Sequence, residues 1–272
     1  NVVVPAEPID NHGADAVRYW AASARLGTDA AFDEGQMKVG RRLAVKLLNA
    51  AKFSLSFEVP AGHTEVTEPI DQALLIALAD VVRGATAAFE SYDHTKALEL
   101  AEHFFWKFTD DYLELVKDRA YNANGEVSAA QQASAAITLR RALHTMLRLF
   151  APFLPFATDE VWSWWQTDAG SIHRAPWPTA EELVEGLDGA NAPLLGLASS
   201  ALVGVRKAKS DAKVSMKAAV ESAVLEAPAA VLTSLRLLET DLKAVGRIET
   251  LGYGEGEEVA MVEVILKAIE EA

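Results

Sequence analysis

There is no cysteine among the 272 residues, which excludes a disulfide framework and any thiolate metal site. The six histidines (His12, His63, His94, His103, His144 and His173) include no pair at the helical spacing of metal ligands, so no metal site is expected. Glycine never falls in the pattern of a dinucleotide or Walker loop, and nothing else is arranged to cradle a nucleotide phosphate. The longest apolar runs fall well short of the roughly 18 residues that cross a bilayer. Asn1 to Pro5 lack the basic start of a secretory signal. These absences fit a soluble protein of the reducing cytoplasm, with no membrane role.

Positive charge is also scarce. The chain has 25 Lys and Arg against 39 Asp and Glu, a net charge of −14, which at face value argues against a nucleic-acid partner. Its distribution says more. Gln36 to Phe57 holds Lys38, Arg41, Arg42, Lys46 and Lys52 and no acid. Val127 to Thr158 holds Arg140, Arg141 and Arg148, again with no acid. Val203 to Lys217 carries Arg206, Lys207, Lys209, Lys213 and Lys217 against Asp211 alone, whereas Glu58 to Ala120 is strongly acidic. Basic stripes on an acidic body suit a polyanion bound on one side. The plainer reading is a set of solvated helix faces.

Apolar periodicity gives the organisation. Residues 1–31 read as a loop, a helix over Ala14 to Ala24, and an irregular segment. Four helical stripes follow: Val39 to Ser54, Ile70 to Tyr92, Leu98 to Leu115, and Leu139 to Phe150, the last ended by Pro152 and Pro155. A short fifth helix is expected to begin at Thr158, whose hydroxyl would cap it ahead of Asp159 and Glu160. Long helices with modest loops describe an antiparallel bundle. Beyond Pro178, a helix over Asn191 to Ser210 precedes a strand over Ala218 to Leu225, a helix over Ala229 to Lys243, and a more buried strand over Val259 to Leu266. The expected fold is mainly α: an antiparallel helical bundle with a smaller C-terminal α+β unit.

Two clusters invite chemistry. Asp110, Asp111 and Glu114 have the make-up of paired carboxylates for acid–base work. No nucleophile or metal motif accompanies them, and acids among aromatics on a bundle helix serve as its solvent edge and polar contacts. Trp162, Trp164 and Trp165 could stack on bases, though helical spacing puts two of them in the core. On the first stripe, Arg42, Lys46, Asn49 and Phe53 recur at steps of four, three and four, so one face carries two cations, an amide and a ring. Such a face suits a single-stranded RNA loop. Equally, an ordinary amphipathic helix could tuck Phe53 into the bundle.

Several runs resemble one family. RRLAVKLLNAAKF (41–53) resembles the start of the anticodon-binding bundle shared by the class I valyl, isoleucyl, leucyl and methionyl-tRNA synthetases. FFWKFTDDYLELVKDR (104–119) is similar to that family's third-helix signature. LHTMLRLFAPFLPFATDEVW (143–162) is similar to its next helix, double-proline turn and acidic helix start. SIHRAPWP (171–178) resembles the segment that closes the bundle. NVVVPAEPIDNHGADAVRYW (1–20) resembles the stretch after the family's KMSKS loop, and GTDAAFDEGQM (27–37) points to the valyl branch.

The resemblance implies a tRNA-binding piece of a ligase that attaches valine to its tRNA using ATP with magnesium and edits threonine elsewhere. The nucleotide, valine and editing residues are expected before Asn1. No cofactor and no catalytic residue is expected in this stretch. By family position, Lys46, Asn49, Lys52 and Phe53 correspond to the helix that meets the anticodon loop, with Phe53 as the stacking ring. The charge pattern adds Arg41 and Arg42. The implied partner is a valine tRNA, not DNA, bound by a monomer. Residues 1–35 would join the catalytic core to the bundle, 36–180 form the bundle, and 181–272 form the α+β unit. No long heptad run stands before Ala272, so a C-terminal coiled-coil arm is not expected here. The rivals are an isoleucyl or leucyl counterpart, or a stand-alone helical scaffold binding RNA or protein. The opening at Asn1, inside a family motif and without an initiating methionine, speaks against the scaffold.

Overall fold

The computed structural model describes residues 4–123 and 125–267. The fold is mainly α, a helical bundle followed by a small α+β element, as the periodicities predict. The chain packs as two units, one from residues 1–58, 78–107 and 138–185, the other from 59–77, 108–137 and 186–272.

In the first unit, α1 (Ala6–His12) and α2 (Ala14–Ala22) precede α3 (Glu34–Leu55). Helix α1 stands where a loop was expected. At only seven residues it has no apolar period to reveal it. The Asp33 carboxylate caps α3, accepting from Gly35 N at 2.7 Å and Gln36 N at 3.3 Å. Helices α2 and α3 approach closely at Gly40, where a Cβ would lie 2.6 Å from the Tyr19 Cβ. The unit also takes the later turns of α4 (Pro69–Glu90), α5 (His94–Lys107), the later turns of α7 (Ala129–Phe150), α8 (Pro155–Ser163) and α9 (Glu181–Val184). Its core is built from Leu43, Leu47, Val82, Phe105, Leu143, Leu147 and Phe150, all essentially solvent-free. Phe105 meets Phe150 edge-on at 5.6 Å.

Helix α8 starts earlier than its sequence suggests. Thr158 lies inside it and donates back to Leu154 O at 2.8 Å. Pro155 opens the helix, a position where its missing N–H costs nothing. The free N–H groups of Phe156 and Ala157 are taken by the carboxylate of Asp15, from α2, at 3.1 and 2.7 Å. The segment 171–178 is pinned at Trp177, whose Nε1 donates to Thr86 Oγ1 at 2.9 Å and whose ring meets Phe89 edge-on.

Helix α4 has a mean hydropathy of 1.4 over 18 residues, long and apolar enough to cross a membrane by length and composition. That departs from the expectation of short apolar runs. Its Leu74, Leu75, Leu78 and Ala79 are fully buried, and so is its Asp71, as suits a core helix that carries a paired charge.

In the second unit, the third stripe is not one continuous helix. Residues Phe108–Tyr112 form a π turn that leads into α6 (Leu113–Tyr121). Phe108 and Tyr112 are both fully buried and stack at 5.9 Å. Helix α10 (Leu194–Asp211) precedes β1 (Val220–Ala227), α11 (Ala229–Arg236), α12 (Glu239–Gly246), β2 (Ile248–Glu255) and β3 (Ala260–Leu266). The sheet order is β2-β1-β3, with β1 parallel to β2 and antiparallel to β3. The expected helix over 229–243 is two helices parted at Leu237 and Leu238, and together they carry the chain across to a parallel strand. That strand, β2, has no counterpart among the expected elements. Burial is also the reverse of expectation: central β1 buries Val220, Ala223, Leu225 and Ala227, whereas edge strand β3 leaves Ile265 more than half exposed.

Candidate nucleic-acid interface

Helix α3 turns about 100° per residue, so Arg42, Lys46, Asn49 and Phe53 fall within about 60° of one another. On the adjoining face Leu43 and Leu47 are fully buried. Arg42 and Asn49 are exposed, and Lys46 and Phe53 are half-buried. The Phe53 ring meets Phe57 edge-on at 4.9 Å, with an interplanar angle of 79°. One side of Phe53 is thus fixed against the protein while part of it stays open. Lys38 is exposed close to this face, whereas Lys52, also exposed, points to the flank that carries Arg41.

The structure separates Arg41 from this group. It lies on the other flank of the helix and donates from Nη1 to Asn11 O at 2.9 Å, so it ties α1 to α3. Three residues that the sequence did not single out join the group instead. The Arg42 Cζ lies 5.5 Å, and the Lys46 Nζ 5.9 Å, from the centroid of the Trp106 ring. The Trp106 Nε1 donates to Glu102 Oε1 at 3.1 Å, and the Tyr19 hydroxyl donates to Glu102 Oε2 at 2.7 Å. Burial, then the bond to Glu102, pushes the Tyr19 pKa well up, so Tyr19 remains a neutral donor. The four-residue step from Glu102 to Trp106 was the signal available, but it was hidden in a run of core aromatics.

Most of the other basic stripes serve the fold, while Lys207, Lys213 and Lys217 stand exposed. Arg140 Nη2 donates to Phe57 O at 2.8 Å, and Arg141 Nη2 to Glu182 O at 2.7 Å. Arg148 pairs with the Glu182 carboxylate. Arg206 binds Asp111 at 2.7 Å, and Lys209, buried, donates to Met216 O and Gly246 O at 2.9 Å each. Asp111 also accepts from Ser199 at 2.7 Å, and the Asp110 main-chain carbonyl accepts from Arg206 at 2.8 Å, so the Asp111 carboxylate anchors α10, a polar contact of the plainer reading. Among the tryptophans, Trp162 is buried and stacks on His144 at 4.9 Å, Trp165 meets the same imidazole edge-on, and Trp164 is exposed. Burial, then Arg148, holds the His144 pKa below its ordinary value. Among the described residues, no group of three or more His, Asp or Glu is placed to hold a metal ion.

The α3 flank thus sets two cations and an amide beside an aromatic ring anchored on the protein. The chain belongs to the family of anticodon-binding domains of tRNA ligases, whose pattern matches residues 71–225; α3 precedes the matched residues. Closely similar over most of the chain are the valine–tRNA ligases of Leifsonia xyli subsp. xyli (52% identity over 271 residues) and Salinispora arenicola (50% over 285 residues). Each alignment covers 98% of this chain. That of Thermobifida fusca is 51% identical over 93% of it. The chain spans 28–32% of the length of these relatives. A solved ternary complex of Agrobacterium radiobacter K84 LeuRS with tRNA and LeuAMS is 20% identical, covering 68% of this chain and 22% of its own, with a TM-score of 0.43.

Proposed function

We propose that this chain is the tRNA-holding part of a valine–tRNA ligase and that α3 meets the anticodon loop. The observation that carries the reading is the α3 flank itself: Arg42 and Lys46 beside exposed Asn49 and partly exposed Phe53, next to fully buried Leu43 and Leu47. About 50% identity to valine–tRNA ligases along nearly the whole chain supports valine over isoleucine or leucine. In this reading Arg42, Lys46 and Lys52 pair with loop phosphates and set the register. Asn49 and Phe53 meet an unpaired base by hydrogen bonding and stacking. Arg41 acts indirectly, by holding α1 against the same helix.

Residues 1–35 then join the bundle to a catalytic core, 36–180 hold the anticodon stem and loop, and 181–272 brace them. ATP, its magnesium and valine are handled by residues outside this chain. The protein works in the cytoplasm, and this part binds tRNA as a monomer. The test is binding of purified valine, isoleucine and leucine tRNAs to the 272-residue chain. Tightest binding to valine tRNA is expected. Equal binding of all three would remove the valine assignment, and no binding to any would remove the reading.

A further inference from the structure

Two cations four residues apart on a helix repel one another. Left free, long Arg and Lys side chains must also be ordered when they meet an anion, which costs affinity. On α3 both heads instead gather over one indole, within 6 Å of its centroid. The indole is itself held at its edge, because Trp106 Nε1 donates to Glu102 and the other Glu102 oxygen accepts from Tyr19. Tyr19 is buried, and Gly40 seats it by letting α2 come within contact of α3. A ring whose N–H points at a carboxylate is polarised, so its face becomes more negative and holds cations better.

Resting on the reading of α3 given above, we infer that Tyr19, Glu102 and Trp106 are positioning residues that present Arg42 and Lys46 side by side to an RNA phosphodiester. Glu102 is then an acid that strengthens binding to a polyanion. If Glu102 were only a surface carboxylate near the path of the RNA, it would repel phosphate, and its removal would tighten binding. The two accounts therefore predict opposite signs.

The experiment measures binding of a valine tRNA transcript to the 272-residue chain across a range of salt concentrations. The variants are Glu102→Gln, Trp106→Leu and the double change Arg42→Ala with Lys46→Ala, with thermal unfolding followed in each. Glu102→Gln keeps the shape but removes the charge and leaves one acceptor oxygen for two donors, so it remains informative should Trp106→Leu fold poorly. We expect Glu102→Gln to weaken binding roughly tenfold. The slope of log affinity on log salt should flatten by about 0.7, one single-strand phosphate contact. A wild-type or tighter affinity for Glu102→Gln, with the double variant weakened, overturns the positioning role and leaves α3 as the binding helix. Wild-type affinity and slope in the double variant overturn the α3 reading itself, and this inference with it.

Discussion

Arg119 turns both arms of its guanidinium to Asp71, at 2.8 Å each, and reaches Asp241 only at 3.2 Å. Asp71 is fully buried and also accepts from the Tyr112 and Ser134 hydroxyls at 2.8 and 2.7 Å. The ion pair sits within the second unit, and among the described residues Arg119 is the cation bonded to Asp71. Replacing Arg119 with Met should therefore cost about 3–5 kcal/mol of stability in denaturant unfolding, because Asp71 is left charged and unpaired. Arg119→Lys should restore little, since an ammonium cannot match the fork. A loss near zero for Arg119→Met would contradict this account of the network.

Two carboxylates share that one guanidinium, and the more loosely held one bears the consequence. Burial outweighs Arg119 at Asp241 and pushes its pKa up to about 6. A carboxyl raised on folding contributes stability that is fully present below its unfolded pKa, about 4. That contribution is lost as pH rises through the folded value. Wild-type stability should thus fall relative to Asp241→Asn between about pH 4 and pH 7, by on the order of 2–3 kcal/mol. Urea unfolding of both proteins across that range is the check, and a difference independent of pH would contradict it.

The helices were legible because their buried faces repeat: Leu43 and Leu47, or Leu139, Leu143 and Phe150, announce them directly. What escaped reading depends on partners distant in sequence. The N–H groups at the start of α8 are satisfied by Asp15, some 140 residues away, so the nearer Thr158 was the natural but mistaken cap. The π turn at Phe108–Tyr112 keeps a helical apolar period, and β2 is masked by three glycines around Tyr253. At the candidate interface the cations and the ring were visible as a helix face. The Trp106 platform was not, since it lies on another helix.

Phe53 and Leu47 give a paired test on one helix. Phe53→Ala should weaken tRNA binding by about 1–3 kcal/mol if the ring stacks on a base. Its cost to the fold should stay below that of Leu47→Ala, which empties a fully buried site and should cost about 2–5 kcal/mol. Parallel binding and chemical-unfolding measurements separate the two. An unfolding cost for Phe53→Ala equal to that for Leu47→Ala, with unchanged binding, would make Phe53 a core residue.

Salt should matter strongly. If the α3 cations and their neighbours neutralise about four phosphates, affinity should drop roughly a hundredfold between about 50 and 200 mM salt. Fluorescence titration across that range is sufficient, and a flat response would mean that the contact is not ionic.

Nuclease protection of a valine tRNA by the 272-residue chain tests the central claim most directly. Protection should centre on the anticodon loop and be lost there when Lys46 and Phe53 are both changed to Ala. Protection confined to other parts of the tRNA, or an anticodon-loop footprint unchanged in that double variant, would contradict the assignment of α3 as the anticodon-reading helix.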